Sequence, residues 1–263
     1  MSRLQIITGK GGVGKTTFAV QKTMKLSREG KEVFYLSLDE KLDDEIIKQT
    51  GIQQKFFETT TSMQTYIARK LGSKMIAKWV ADAPFFSALF NILPSLGMMI
   101  TLGHIIDELE KNPNYIFVLD APATGHTLSL FESTMNYRRI FGRGVLVDDI
   151  DKINDFLFDE HLVSFDIVSV PTELALEESI ELKESLQKLG FLDINVILND
   201  CLFLTKAISE HQEILPKFLK EKVDLQTKLF EEFKQHIGRK VSHVTDADNL
   251  SVIQSIDKEM MKS

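Results

Sequence analysis

The nine residues Gly9-Lys10-Gly11-Gly12-Val13-Gly14-Lys15-Thr16-Thr17 constrain the fold of this chain more than any other stretch. They match the pattern GxxxxGK[ST] and stand between an apolar run, Leu4–Ile7, and a segment with helical patterning. In that setting the pattern has a physical meaning. Its glycines let the backbone curl so that successive N–H groups point inward and form a nest for phosphate oxygens. A helix that starts just after the loop adds the positive end of its dipole. Lys15 carries a charge toward β- and γ-phosphates, and the Thr16 hydroxyl suits Mg²⁺. Such a loop needs a strand behind it and a helix ahead of it, so an α/β architecture is expected.

The rest of the chain agrees. Short apolar runs rich in β-branched or aromatic residues recur at Leu4–Ile7, Val33–Leu38, Tyr115–Leu119, Phe165–Val170, Ile194–Leu198 and Val241–Val244. Strands buried on both faces of a parallel sheet read this way. Helical patterns fill the gaps, so the expected fold is a doubly wound, mainly parallel sheet flanked by helices. Thr172 can cap a helix that ends at Gly190, with Leu174, Leu176, Ile180, Leu182, Leu186 and Leu189 on its apolar side. A second helix is expected from about Pro216 to Gly238, with Phe218, Leu219, Val223, Phe230, Phe233 and Ile237 on one side. The long gap from Lys41 to Asn114 reads as a helical insertion. At 263 residues, 43% hydrophobic and 26% charged, residues 1–263 are expected to form a single domain with a helical subdomain at about 41–114.

A second motif narrows the chemistry. Tyr115–Leu119 ends in Asp120, an apolar strand closed by a carboxylate that can hold Mg²⁺, often through its waters. It runs on as Ala121-Pro122-Ala123-Thr124-Gly125-His126-Thr127-Leu128. Residues 9–17 then read as an ATP-binding Walker A loop, with Thr16 and Asp120 as the Mg²⁺ pair.

The loop resembles the deviant Walker A motif of the family that contains MinD, ParA, nitrogenase iron protein and the arsenical-pump ATPase ArsA. Lys10, directly after the first glycine, carries that likeness. Residues 120–128, DAPATGHTL, are similar to the switch II signature of ArsA and of the ATPase that delivers tail-anchored membrane proteins. MinD and ParA do not carry it. The resemblance implies an ATP-hydrolysing dimer in which Lys10 reaches the partner's nucleotide. It also implies that Asp120, Pro122, Thr124, Gly125 and His126 form a nucleotide-sensing switch, with His126 not acting as a proton donor. Val170-Pro171-Thr172-Glu173 with Leu176-Glu177-Glu178-Ser179 match the family's strand-to-helix step. Asn199 stands where the family sets an asparagine against adenine. It equally reads as a polar residue closing a strand.

Two departures matter. The family's switch I reads DPAHxLSD, but here the text is Ser37-Leu38-Asp39-Glu40-Lys41-Leu42-Asp43-Asp44. The resemblance maps the catalytic, water-orienting aspartate onto Asp44, with Asp43 next and Asp39 as a partner of the Mg²⁺ site. An acidic helix start would look the same. The second departure is Cys201, the chain's only cysteine, where metalloid or zinc binding would need several thiolates.

Three roles follow from the resemblance: an ATPase that targets or chaperones apolar protein segments, the ATPase subunit of an anion or metalloid efflux system, and a MinD- or ParA-like positioning ATPase. The single cysteine speaks against the second and the switch II text against the third, whose support is an amphipathic pattern at Leu250–Met261. The first draws on Ala83–Ile106, which lacks any Asp, Glu, Lys or Arg. Pro84, Asn91, Pro94, Ser95 and two glycines interrupt it, so a pair of helices is expected there rather than a membrane span. These helices would bury one face and offer the other to an apolar or membrane protein partner. A homodimer and a heterodimer with a paralogous ATPase both remain open. With a net charge of −7 and no basic run, nucleic acid is not an expected partner. The lone cysteine, and no charged-then-apolar leader before Leu4, point to a cytoplasmic setting.

Overall fold

The computed structural model describes residues 1–38, 41–71, 94–141, 145–205, 208, 210 and 215–242. Asp39, residues 83–93 of the apolar stretch and the Leu250–Met261 pattern lie outside these residues.

Among the described residues seven strands form one sheet: β1 (Leu4–Gly9), β2 (Glu32–Ser37), β3 (Gln53–Gln54), β4 (Tyr115–Ala123), β5 (Val163–Ser169), β6 (Ile194–Cys201) and β7 (Arg239–Ser242). Their order is β3-β2-β4-β1-β5-β6-β7, and every pairing is parallel. The helices are α1 (Lys15–Arg28), α2 (Asp44–Thr50), α3 (Thr59–Leu71), α4 (Pro94–Lys111), α5 (Thr124–Phe141), α6 (Val145–Leu157), α7 (Glu173–Leu189) and α8 (Lys217–Phe233). The expected doubly wound α/β fold is therefore present. All six candidate strands exist, with ends shifted by up to four residues.

Parallel pairing covers both faces, and the side-chain alternation of each strand divides its residues between them. Leu4 and Ile6 of β1, with Phe117 and Leu119 of β4, point to a core built with α4, α5, α6 and α7. Ile7, Ile116 and Val118 point the other way, against Phe18, Ala19, Val20 and Met24 of α1. At the far edge, Leu198 and Cys201 pack with Leu229 of α8. Most of these side chains are fully buried, and each contributes about 1.5–3 kcal/mol of transfer free energy.

Several sequence expectations change. β3 was not foreseen, because two glutamines carry no hydrophobic signal; it pairs with Phe34 and Tyr35 of β2. Thr172 does sit at the N-terminus of α7, but its side chain makes no cap hydrogen bond, whereas Gly190 ends the helix in the left-handed region as expected. Leu174 and Phe218, assigned to apolar helix faces, are 59% and 69% exposed. Helix α8 runs only to Phe233 rather than Gly238 and buries Gln226 beside Val223 and Leu229. Pro94 opens α4, as suits a proline in a first turn. Within that helix Leu96, Met99, Ile100, Leu102, Ile105 and Ile106 are core residues. The described part of the apolar stretch thus buries most of its apolar side chains in the core.

Phe117→Ala should lower stability by about 3–5 kcal/mol, since it empties the core between β4, β2 and α4. Phe218→Ala should change it by no more than about 0.5 kcal/mol. Urea unfolding of both variants checks the exposure of Phe218 as well as the burial of Phe117.

Candidate functional site

In an open parallel sheet a ligand crevice forms beyond the carboxyl ends of the strands, where the chain winds off in opposite directions. Here that point is the end of β1, flanked by β4 and β5. The glycine-rich loop leaves the sheet at this point. Gly9 has φ +147 and lies so close to β5 that a Cβ would sit 2.1 Å from the Val168 carbonyl oxygen. Gly14 has φ +95, and a Cβ there would meet the Asn199 amide nitrogen at 2.7 Å. No other residue fits either position. Helix α1 begins immediately afterwards with no acidic residue in its first turn, so its positive end faces the crevice.

Around this loop the sequence-selected residues converge. Thr16 Oγ1 donates to Asp120 Oδ2 at 2.6 Å. Lys15 Nζ donates to the Lys10 carbonyl at 3.0 Å, folded back over the loop. Asn199 Nδ2 donates to the Val13 carbonyl at 2.9 Å, so this side chain from β6 ties down the loop. A cleft of about 710 Å³ opens in front of Thr16 and Asp120, with Lys15, Ser37, Lys41, Asp43 and Pro122 among its lining residues. A hydroxyl and a carboxylate with no sulfur or imidazole beside them are hard oxygen donors, and a cleft of this size leaves room for water. That donor set fits Mg²⁺, which binds proteins through few oxygens and keeps several waters.

The segment from Asp120 to Thr127, expected to be a switch, also has a defined anchor. Thr127 Oγ1 donates to the Pro122 carbonyl at 2.8 Å and lies 3.0 Å from Thr8 Oγ1 of β1. Both threonines are buried. Gly125 and His126 are exposed on the first turn of α5. The turn is thus held from below while its upper side faces solvent.

Three features were not read from the sequence. Lys10 Nζ pairs with Glu178 Oε1 of α7 at 2.8 Å, within the same chain. The two side chains are 39% and 33% exposed, and such a pair contributes no more than about 1 kcal/mol. Tyr35, assigned only to a strand, is 2% exposed and donates its hydroxyl to Asp120 Oδ2 at 2.9 Å. Burial, then the Asp120 charge and the hydrogen bond to it, raise the Tyr35 pKa far above the ordinary tyrosine range. Its polar tip near the end of an apolar strand was the available signal. Third, the cleft is lined by Asp43 and not by Asp44. Asp43 also caps α2, accepting from the Glu45 N–H at 2.7 Å, and Asp44 is the first residue of that helix; both are exposed. Of the two adjacent aspartates, Asp43 is the one among the residues that line the cleft.

The model of one family, anion-transporting ATPase, matches residues 2–145 and 144–244. The chain is similar to the ATPase GET3A of Arabidopsis thaliana, 23% identical over 86% of this chain and 73% of the relative. It is similar to ATPase ASNA1 homolog 1 of Paramecium tetraurelia, 22% identical over 83% of this chain and 82% of the relative. It also resembles the putative arsenical pump-driving ATPase 2 of Aquifex aeolicus, 25% identical over 89% of each.

Gly14→Ala should weaken nucleotide binding by about tenfold or more. A non-glycine residue held in the left-handed region costs on the order of 1–3 kcal/mol, and each 1.4 kcal/mol is about a factor of ten. Calorimetric titration with ATP measures the loss, and unchanged affinity would mean that the loop does not hold this shape around nucleotide.

Proposed function

Because the chain belongs to the anion-transporting ATPase family and is therefore an ATPase, we propose that its cleft at Thr16 and Asp120 binds MgATP and works as the nucleotide switch of a dimer. The observation that carries this reading is the Thr16–Asp120 contact at the mouth of the glycine-rich loop, beside Lys15. The reading takes residues 1–263 as one ATPase domain with a helical subdomain at about 41–114.

The roles are then as follows. Backbone N–H groups from Gly9 to Thr17 receive the phosphates. Lys15 exchanges the Lys10 carbonyl for β- and γ-phosphate oxygens. Thr16 and Asp120 would hold Mg²⁺, and the ion when bound would supply positive charge against the phosphates. Asn199 keeps the loop closed from the β6 side, and adenine lies along that same edge. An aspartate at the start of α2 orients the attacking water. The γ-phosphate orders the segment around Asp43 and the switch from Asp120 to His126, and its loss releases them. Lys10 leaves Glu178 and reaches the partner's nucleotide, an exchange that so exposed an ion pair permits at little cost.

For the biological role we favour targeting or chaperoning of apolar protein segments over metalloid efflux. Cys201, the chain's only cysteine, is fully buried, with its thiol directed at the Leu198 carbonyl. A thiol so placed offers a metalloid no ligand set. Residues 85–93 contribute Phe85, Phe86, Leu89, Phe90, Ile92 and Leu93. Helices α3 and α4, which flank residues 72–93 in the chain, line with α6 a cavity of about 110 Å³ whose walls include Met99, Ile100 and Ile153. Among the described residues no helix is long and apolar enough to cross a membrane.

Mg²⁺-dependent ATP hydrolysis should disappear in Lys15→Ala, because phosphoryl transfer is governed by positioning and charge. Lys10→Ala should bind ATP normally but fail to dimerise with a non-hydrolysable analogue in sedimentation. Wild-type turnover in the first variant would remove the nucleotide assignment, and normal dimerisation in the second would remove the trans role of Lys10.

Single-turnover assays should rank the two aspartates. Asp43→Asn is expected to slow hydrolysis by about 10²-fold, the lower range for loss of a positioned base, and Asp44→Asn by less. The opposite ranking would return the water-orienting role to Asp44.

A further inference from the structure

Tyr35 reaches the metal side of the cleft from an unexpected direction. On β2 and β4, residues 33, 35, 116 and 118 face α1, and the strand alternation carries Asp120 to the same side. The register sets Tyr35 opposite Val118 and Ser37 opposite Asp120. Tyr35 is therefore the diagonal neighbour of Asp120, one step back toward the core. A phenol spans that diagonal and ends at Asp120 Oδ2, 2.9 Å away. The same oxygen receives the Thr16 hydroxyl at 2.6 Å. Two donors, one from the loop helix and one from the neighbouring strand, thus hold a single carboxylate oxygen.

We propose that Tyr35 is a positioning residue for the metal site: its hydroxyl fixes the Asp120 carboxylate in the orientation in which Asp120 and Thr16 together hold Mg²⁺. The proposal rests on the reading of Thr16 and Asp120 as the Mg²⁺ pair. Partners behind a metal-holding carboxylate orient it and set its strength as a ligand. Because Tyr35 is buried in the core beside Val33 and Val118, its ring cannot drift, and the carboxylate inherits that rigidity. A hydrogen bond from behind also draws charge from Oδ2. Phenylalanine would fill the same space and supply no donor. The hydroxyl is then the element that ties the core to the metal side of the cleft.

The test is a titration of a fluorescent ADP analogue, first in EDTA and then across a Mg²⁺ series, on the wild type, Tyr35→Phe and Asp120→Asn. Thermal unfolding verifies that each variant is folded. Tyr35→Phe should need about tenfold more Mg²⁺ for half of the metal-dependent gain in affinity, the lower range for loss of such a partner. Its affinity in EDTA should stay within about twofold of wild type, since no phosphate contact is touched. An unchanged Mg²⁺ midpoint would overturn the proposal, because Tyr35→Phe keeps the packing and removes only the hydroxyl that positions Asp120. Asp120→Asn should lose most of the Mg²⁺ effect. If it keeps the wild-type midpoint, the metal-site reading itself fails, an outcome separate from failure of Tyr35 alone. A second readout needs no variant: in the wild-type protein the Tyr35 hydroxyl proton should shift in NMR when Mg²⁺ joins the nucleotide complex. Absence of that shift would equally overturn the role.

Discussion

Strand β1 is hydrogen-bonded to β4 on one side and β5 on the other, and the geometry of the cleft depends on that double pairing. A strand held on both edges cannot tilt, so its end is a rigid point from which the loop is launched. Gly9 makes the exit: only a residue without Cβ can turn there against the Val168 carbonyl. The loop then delivers Thr16 to Asp120, which hangs from the neighbouring strand β4. Two elements far apart in sequence thus meet at one hydrogen bond because both are anchored to the same sheet.

Around that point the interior is more polar than a sheet core usually is. Thr8, Thr127, Tyr35 and Asn199 each donate to or share a bond with a carbonyl, carboxylate or hydroxyl of the site. Buried groups of this kind are costly when unpaired and rigid when paired. Their arrangement holds the base of the loop and the base of switch II, while the Gly11–Gly12 turn and the Gly125–His126 turn stay exposed. A firm base with exposed turns above is what a switch driven by a phosphate group needs, since only the turns have to reorder.

The Lys10–Glu178 pair sits on the rim of this arrangement. It occupies the lysine without burying it, and salt or a competing anion would displace it readily. Its partner helix α7 is anchored by Leu176, Leu182 and Leu186 in the core. The exposed Leu174 lies one helical turn earlier on α7, which gives this rim an apolar as well as a charged component.

Much of this was written into local sequence. Strong β-branched and aromatic runs marked six strands, and the two motifs at 9–17 and 120–128 identified the nucleotide loop and its carboxylate. These signals are local because the backbone and phosphate chemistry they serve is local. The sequence could not show that Tyr35 would end at Asp120, that Lys10 would rest on Glu178, or that Asp43 rather than Asp44 would line the cleft. Each depends on strand order, register or helix phase, which bring together residues 85, 168 and 77 positions apart or decide between adjacent ones. It also misjudged Leu174 and Phe218, because helical spacing marks an apolar side without saying how wide a stripe its neighbours will cover. Sequence alone determined the kind of chemistry and the elements that carry it. The tertiary structure decided which side chains share that chemistry, because hydrogen bonds act over about 3 Å and only the packed sheet brings such distant residues that close.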